Sequence, residues 1–295
     1  MTRVEGGGSD ATRGILYVVA TPIGNLGDVT LRALEVLRAV PLIAAEDTRH
    51  VRRLLDRHDV RTRATSYHAR SGPGRAHALL EHLRAGSDLA LVTDAGTPGV
   101  SDPGGELAMA WAAEGGVVVP LPGASAVLAA IAATGIAGPR WSFEGFLPRR
   151  GRERRDRLAR IAADERGSVV YEAPGRVAAT LRDLAGVCGA ERPAAVCREL
   201  TKIHETIEGG TLGRLAAMAA DGEIPARGEF VLVIGARVGP PADASEATVA
   251  AALDDARAAV AALIADGASR SEAARRVAAT TGLPRRQLYD ARNDG

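Results

Sequence analysis

Adjacent carboxylates at Glu46 and Asp47, with Arg49 two residues on, are the first side chains able to move a proton and grip an anion. They stand in AEDTR, residues 45–49, directly after an apolar run. Neighbours on a continuing strand point to opposite sides, so one carboxylate is free to cap the next helix while the other faces a cleft. Helix capping alone is the simpler alternative. A second polar cluster, RELTKIHE at 198–205, holds Glu199 and Lys202. Lys202 is the single lysine among 37 cationic residues. A lysine kept there fits a need for a compact ammonium rather than a guanidinium fork; a solvated charge run is the alternative.

Three loops are rich in small residues. TPIGN carries Thr21, Pro22, Gly24 and Asn25; TDAGTPGVSDPG, 93–104, carries Asp94, Ala95, Gly96, Thr97, Val100 and Ser101; PGASA, 122–126, carries Pro122, Ser125 and Ala126. Each follows a predicted strand, where open α/β sheets bind ligands. Small residues let backbone amides come close to a ligand. Tight turns are the plainer reading. Neither of the first two loops is a GxGxxG or a GxxxxGK[ST], so neither a dinucleotide fingerprint nor a Walker loop is supported.

Two stretches are locally basic. RRGRERRDRLAR, 149–160, has seven arginines against two acids, among them Arg149, Arg150, Arg152, Arg154 and Arg155. Trp141, Phe143 and Phe146 lie just upstream, three of nine aromatics in the chain. Arginine beside exposed aromatics can hold phosphate and stack bases; a solvated helix beside core aromatics is the alternative. Residues 270–292 carry six arginines against two acids, including Arg275, Arg276, Arg285 and Arg286. A compact helical module with such a face suits phosphate contact.

The composition frames these sites. At 295 residues, 46% hydrophobic and 25% charged, the chain is of the globular class and long enough to bury a core without disulfide or metal staples. A net charge of +1 gives no global field for nucleic acid. Two cysteines and six scattered histidines form neither a disulfide framework nor a metal-ligand spacing, and fit a cytoplasmic protein needing no metal. Residues 1–13 read as a disordered tail without a signal-peptide core. The uncharged stretch 115–139 is broken by Pro120, Pro122 and Gly123, so it reads as strand, turn and buried helix rather than a membrane span.

Around the loops the chain alternates β-branched runs with amphipathic stretches. Strands are expected at 15–19, 42–45, 89–93 and 117–121, with helices after Asp28 as cap, at 47–58, at 106–114 and at 125–134. A second series has strands at 142–147, 168–171, 194–198 and 230–235 and helices at 151–163, 176–187 and 211–220. This is the pattern of βαβ units and largely parallel sheets. The expected organisation is an α/β domain at 14–121, a second of similar size at 122–238, a linker at 239–245 and a helical module at 246–295. Ser269 and Glu272 form a capping box within that module, and a last short helix is expected at 285–291.

LYVVATPIGNLGDVTLRALEVL, AEDTR, TDAGTPGVSDPG, PLPGASA, EGFLP, RELTK and GEFVLVIG come in order over residues 15–235. As an ordered set they resemble the tetrapyrrole-methylase-like, class III S-adenosylmethionine (SAM) methyltransferases, specifically the branch acting on small-subunit ribosomal RNA. The resemblance implies two α/β domains of the tetrapyrrole-methylase type with SAM in the cleft between them, a small helix-turn-helix-like module at the C-terminus, and a homodimer. It implies methylation of a cytidine 2′-hydroxyl in the decoding region of 16S rRNA within the small ribosomal subunit. By position, the three loops become the cofactor loops, with Tyr171 and Glu172 on the second-domain wall. The branch's YExPHR reads YEAPGR here, with Gly175 in place of its histidine. On this reading Glu46 or Asp47 takes the hydroxyl proton, Arg49 grips a flanking phosphate, and Glu199 and Lys202 are second candidates. Methylation of a small tetrapyrrole and a non-catalytic ribosome-assembly role are the alternatives.

Overall fold

The apolar runs become strands and the amphipathic stretches become helices in a computed structural model that describes residues 13–68, 70–102, 104–237 and 245–289. The expected tail and most of the expected linker lie outside the described residues. The chain divides into two compact units at Ala126/Val127, a few residues beyond the expected boundary.

The first unit holds β1 (Ile15–Val19), α1 (Leu31–Ala39), β2 (Leu42–Ala45), α2 (Thr48–Arg57), β3 (Ala64–Ser66), α3 (Pro73–Arg84), β4 (Leu89–Val92), α4 (Gly105–Ala113) and β5 (Val117–Leu121). Its sheet runs β3-β2-β4-β1-β5 and every pairing is parallel. Helices cover both faces, which is why β2 and β4 are apolar throughout rather than alternating. Leu34 and Leu37 of α1 and Val51 and Leu55 of α2 pack with Val19, Ile43, Ala90 and Val92. Leu79 and Leu83 of α3 and Leu107 and Trp111 of α4 pack on the other side, with Leu16, Ala44, Leu89 and Leu91. Neighbouring strands β1 and β4 therefore send their chains to opposite faces, which opens a crevice at their C-terminal ends.

Sequence reading omitted β3 and α3. β3 is three half-buried residues at a sheet edge. α3 begins at Gly72-Pro73-Gly74, which reads as a turn. The cap of α1 is also corrected. Asp28 closes a 3-10 turn at Leu26–Asp28, and Thr30 accepts from the backbone N–H of Ala33 at 3.1 Å. Thr30→Ala is expected to cost about 1 kcal/mol, read as a lower urea midpoint with an unchanged m-value.

α5 (Ala126–Thr134) starts at the division. Beyond it the second unit holds β6 (Trp141–Phe146), α6 (Gly151–Ala163), β7 (Gly167–Glu172), α7 (Val177–Cys188), β8 (Pro193–Arg198), β9 (Thr206–Thr211), α8 (Leu212–Ala220) and β10 (Phe230–Ile234). Its sheet runs β6-β7-β10-β8-β9. Only β6 and β7 pair in parallel; the others are antiparallel, which corrects the largely parallel expectation for this unit. The omitted strand β9 lies at the edge and contains Gly209 and Gly210, a composition that weakens a strand signal. Leu158, Ile161, Leu181, Leu184, Leu212 and Leu215 of α6–α8 cover one sheet face.

Arg154 on α6 is corrected from a nucleic-acid contact to an interior group. It is 9% exposed and donates to Asp183 at 2.8 Å, to Thr180 Oγ1 at 3.0 Å and to the Pro148 carbonyl at 3.1 Å. The helical module follows as α9 (Glu246–Ala265), α10 (Arg270–Thr281) and α11 (Arg285–Tyr289), around Val260, Ala274, Val277 and Leu288. Ser269 caps α10 as expected, accepting from Glu272 N–H at 3.3 Å.

Candidate active site

The three small-residue loops belong to the first unit and are tied to one another. Two residues past the end of β1, Thr21 forms a two-way bridge with Gly96: Thr21 N–H donates to the Gly96 carbonyl at 2.8 Å and Gly96 N–H returns to the Thr21 carbonyl at 3.0 Å. The buried Thr21 hydroxyl also donates to the Thr93 carbonyl at 3.1 Å. Gly96 sits at φ +81°, a conformation that L side chains rarely adopt. The Thr97 hydroxyl donates to the Ala124 carbonyl at 3.3 Å, joining the second loop to the third. A Cβ on Gly123 would lie 2.8 Å from that of Ala20, so only glycine lets the third loop settle against the end of β1. Gly24, Asn25 and Ser101 remain exposed at this rim. Ser101 holds φ +64°, a strained value for a non-glycine residue and a mark of functional loops.

Carboxylates gather beside these loops, at the ends of β2 and β4. Asp47 N–H donates to Asp94 Oδ1 at 3.0 Å, and Asp94 N–H reaches Glu46 Oε2 at 3.4 Å. The two expected acids are not equivalent. Asp47 accepts from the Arg49 backbone and from its guanidinium, at 2.7 to 3.1 Å, and caps α2. Hydrogen bonds from Arg49 hold its carboxyl far below the ordinary range, which makes it a poor base. Burial pushes the Glu46 carboxyl up, and the nearby Asp94 and Asp47 charges add to the push against the Asp94 N–H and His68.

Asp102, which sequence reading passed over, is raised well above the ordinary carboxylate range. Burial first, then the charge of Glu46, raise its carboxyl to about 6. The Thr93 hydroxyl, 2% exposed and without a hydrogen bond of ordinary length, lies toward it and pulls the other way. Two acids in unlike surroundings with raised pKa values are the arrangement expected where one of them must accept a proton near neutral pH. The signal lies in the sequence: Asp102 belongs to TDAGTPGVSDPG, whose many small residues point to backbone contacts rather than to a carboxyl.

The tetrapyrrole (corrin/porphyrin) methylase family matches residues 15–216. The ribosomal RNA small subunit methyltransferase I of Synechocystis sp. is 48% identical over 276 residues, covering 94% of this chain and 96% of that protein. This chain belongs to the tetrapyrrole methylase family, in its ribosomal RNA small subunit methyltransferase I branch. The same-named protein of Xylella fastidiosa is 43% identical over 95% of this chain and 99% of its own. The fold is shared with uroporphyrin-III C-methyltransferase from Thermus thermophilus complexed with S-adenyl homocysteine, at TM-score 0.54 and 21% identity over 75% of this chain and 97% of that one.

For this methylase chain the remaining candidates fall in the second unit. Glu199 and Lys202 occupy the loop from β8 to β9, where Glu199 (φ +53°) and Thr201 (φ +68°) take left-handed conformations. Lys202 Nζ donates to Glu199 and to Glu229, both at 2.9 Å, and Glu229 N–H closes the ring on Glu199. Burial opposes the charge on Glu199, but Lys202 and the Glu229 N–H win and hold the carboxyl low. Lys202 is likewise disfavoured by burial and held protonated by its two acids. These two residues brace a loop, and neither is poised as a base.

Tyr171, the penultimate residue of β7, lies edge-on to Phe143 (4.9 Å between centroids) and Phe146 (5.6 Å). Glu172 is corrected: 2% exposed, it accepts from Thr180 at 2.6 Å and pairs with Arg176 at 3.1 Å, so its carboxylate is turned inward rather than onto a cofactor wall. Arg149, Arg150, Arg152 and Arg155 stay exposed on or beside α6, and Arg275, Arg276, Arg285 and Arg286 on α10 and α11. A Cβ on Gly175 would meet nothing within 4 Å, so the missing branch histidine leaves open space around that position. Among the described residues no helix is long and apolar enough to cross a membrane, and residues 115–139 contain β5 and α5.

Proposed function

We propose that this chain transfers a methyl group from SAM to small-subunit ribosomal RNA, and that the acceptor is the 2′-hydroxyl of a cytidine in the decoding region of 16S rRNA. The observation that carries this is the near full-length correspondence with ribosomal RNA small subunit methyltransferase I, 48% identity over 94% of this chain and 96% of that protein. The first unit fits a cofactor of this shape: backbone-lined, glycine-dependent loop ends at a sheet crevice, with exposed edges at Gly24, Asn25 and Ser101. When bound, SAM supplies an already activated methyl.

Alignment then does much of the work. The hydroxyl is a weak acid and must lose its proton during or after attack. Glu46 and Asp102 are the groups able to hold that proton, whereas Asp47 is tied to Arg49 and caps a helix. The exposed arginines of α6 and of the helical module are the expected RNA grips, and the active form is expected to be a homodimer.

The test offers labelled SAM to small subunits lacking their native methylations, to naked 16S rRNA and to a porphyrinogen. Label in subunit RNA supports the proposal. Label only in the porphyrinogen assigns a tetrapyrrole acceptor. No label, with no SAM binding by calorimetry, assigns a non-catalytic RNA-binding factor. Removing 246–295 is expected to weaken RNA binding and flatten its salt dependence while SAM affinity stays unchanged; equal RNA affinity without that segment contradicts the module's role.

A further inference from the structure

α2 begins at Thr48, immediately after Glu46 and Asp47. Arg49, Arg52, Arg53 and Arg57 fall at i, i+3, i+4 and i+8 and share one face; Val51, Leu54 and Leu55 fall on the other and are buried. The arginine face is turned to water: the side chain of Arg49 is 90% exposed and that of Arg52 62%. Arg61 and Arg63 extend it along the connection to β3, so residues 48–63 hold six arginines against Asp56 and Asp59.

The counter-charges are few. Arg49 pairs with Asp47, Arg52 with Asp56 at 3.6 Å, and Arg61 with Asp59 at 3.8 Å. Arg53, Arg57 and Arg63 make no ion pair among the described residues. A face kept only for solubility mixes both signs. Here Arg49, Arg53 and Arg57 follow at i, i+4 and i+8, like charges that repel along a helix and weaken it. α6 shows the contrast: Arg154 is interior and Arg157 pairs with Glu144 at 2.8 Å, so part of its basic run is consumed by the fold.

Glu46, Asp94 and Asp102 repel any phosphate that comes near. A reacting nucleotide carries phosphates on both sides of its ribose, so a strand reaching those carboxylates needs compensating charge close by. α2 is joined to the carboxylates by the backbone itself.

We propose that the outer face of α2, continued by Arg61 and Arg63, binds the phosphates of the RNA strand flanking the reacting nucleotide. This rests on the ribosomal RNA reading above and adds a contact surface on the first unit to those expected on the second. The contact is through charge and is insensitive to sequence.

The experiment measures binding of the full chain to small ribosomal subunits and to 16S rRNA across a salt series, with methyl transfer recorded in parallel. Arg53→Ser combined with Arg57→Ser is expected to weaken RNA binding and to reduce the slope of log Kd against log salt by about 2, roughly one for each lost phosphate contact. Arg53→Lys with Arg57→Lys is expected to keep the slope, since the charge is retained. SAM binding and the melting temperature report that the serine variant is folded. Arg75→Ser, an exposed position on α3 across the sheet, is the control expected to change neither Kd nor slope. A serine variant with wild-type Kd and slope, in a protein that still methylates subunit RNA, overturns this proposal alone. A wild-type protein that neither binds nor methylates subunit RNA overturns the functional reading on which it rests.

Discussion

Asp102→Asn is expected to slow methyl transfer at saturating RNA and SAM by roughly 10²–10⁴-fold, the range for loss of a positioned general base. The amide keeps the shape of the side chain and its place beside Thr93 but cannot take a proton. Glu46→Gln is expected to lower the same step, and the double variant to be little slower than Asp102→Asn, because groups acting as a unit are not additive. The pH dependence has a definite sign. The base works as a carboxylate, so the wild-type single-turnover rate is expected to rise through pH of about 6, where the Asp102 carboxyl is held by burial and by Glu46, and then to level off. The step belongs to the carboxylate pair as a whole. Asp102→Asn is expected to remove it without changing SAM affinity by calorimetry. Near-normal turnover with the inflection intact assigns the proton elsewhere. Asp47→Asn is expected to act mainly through α2 and Arg49, since the Asp47 carboxylate caps that helix and pairs with that side chain.

Arg154→Ala is expected to destabilise the second unit by about 3 kcal/mol while leaving RNA affinity of the folded protein unchanged. Arg154 closes a chain of contacts: it donates to Thr180, Thr180 donates to Glu172, and Glu172 pairs with Arg176, which donates to the Leu147 carbonyl at 2.6 Å. Removing one member leaves the others short of a partner in a dry setting. The figure lies at the low end for a broken buried pair because the Asp183 side chain keeps 32% exposure and can recover water. Urea unfolding of the full chain measures the loss. Arg155→Ala, at the next and exposed position, is expected to change stability by less than about 0.5 kcal/mol. Equal, small effects of the two substitutions contradict the interior assignment.

Strands buried on both faces were the most legible elements, because Ile15–Val19, Leu42–Ala45 and Leu89–Val92 are continuous apolar runs bounded by turn residues. Short edge strands were illegible, since Ala64–Ser66 and the glycine-bearing Thr206–Thr211 carry no such run. Strand direction in the second unit was hidden for a different reason. The β8–β9 connection carries charged residues and reads as a charge run rather than a hairpin, until Glu199 and Thr201 are seen in left-handed turns. The interior place of Arg154 was legible after all: Arg154, Leu158 and Ile161 follow at i, i+4 and i+7, so the apolar stripe of α6 runs back onto it. At the site, the ordered loops marked which backbone turns come together. Nothing in the order of residues marks which carboxyl loses more of its water. That follows from packing, which separates Asp102 from Asp47.

A ribose hydroxyl of small-subunit RNA, once methylated, leaves a product that alkali cannot cleave. The most direct measurement transfers labelled methyl from SAM to undermethylated small subunits, hydrolyses the RNA in alkali and separates the products. A 2′-O-methyl group blocks the neighbouring phosphodiester from alkaline cleavage, so label is expected in a single alkali-resistant dinucleotide beginning with cytidine. Label released entirely as mononucleotides places the methyl on a base and overturns the ribose assignment.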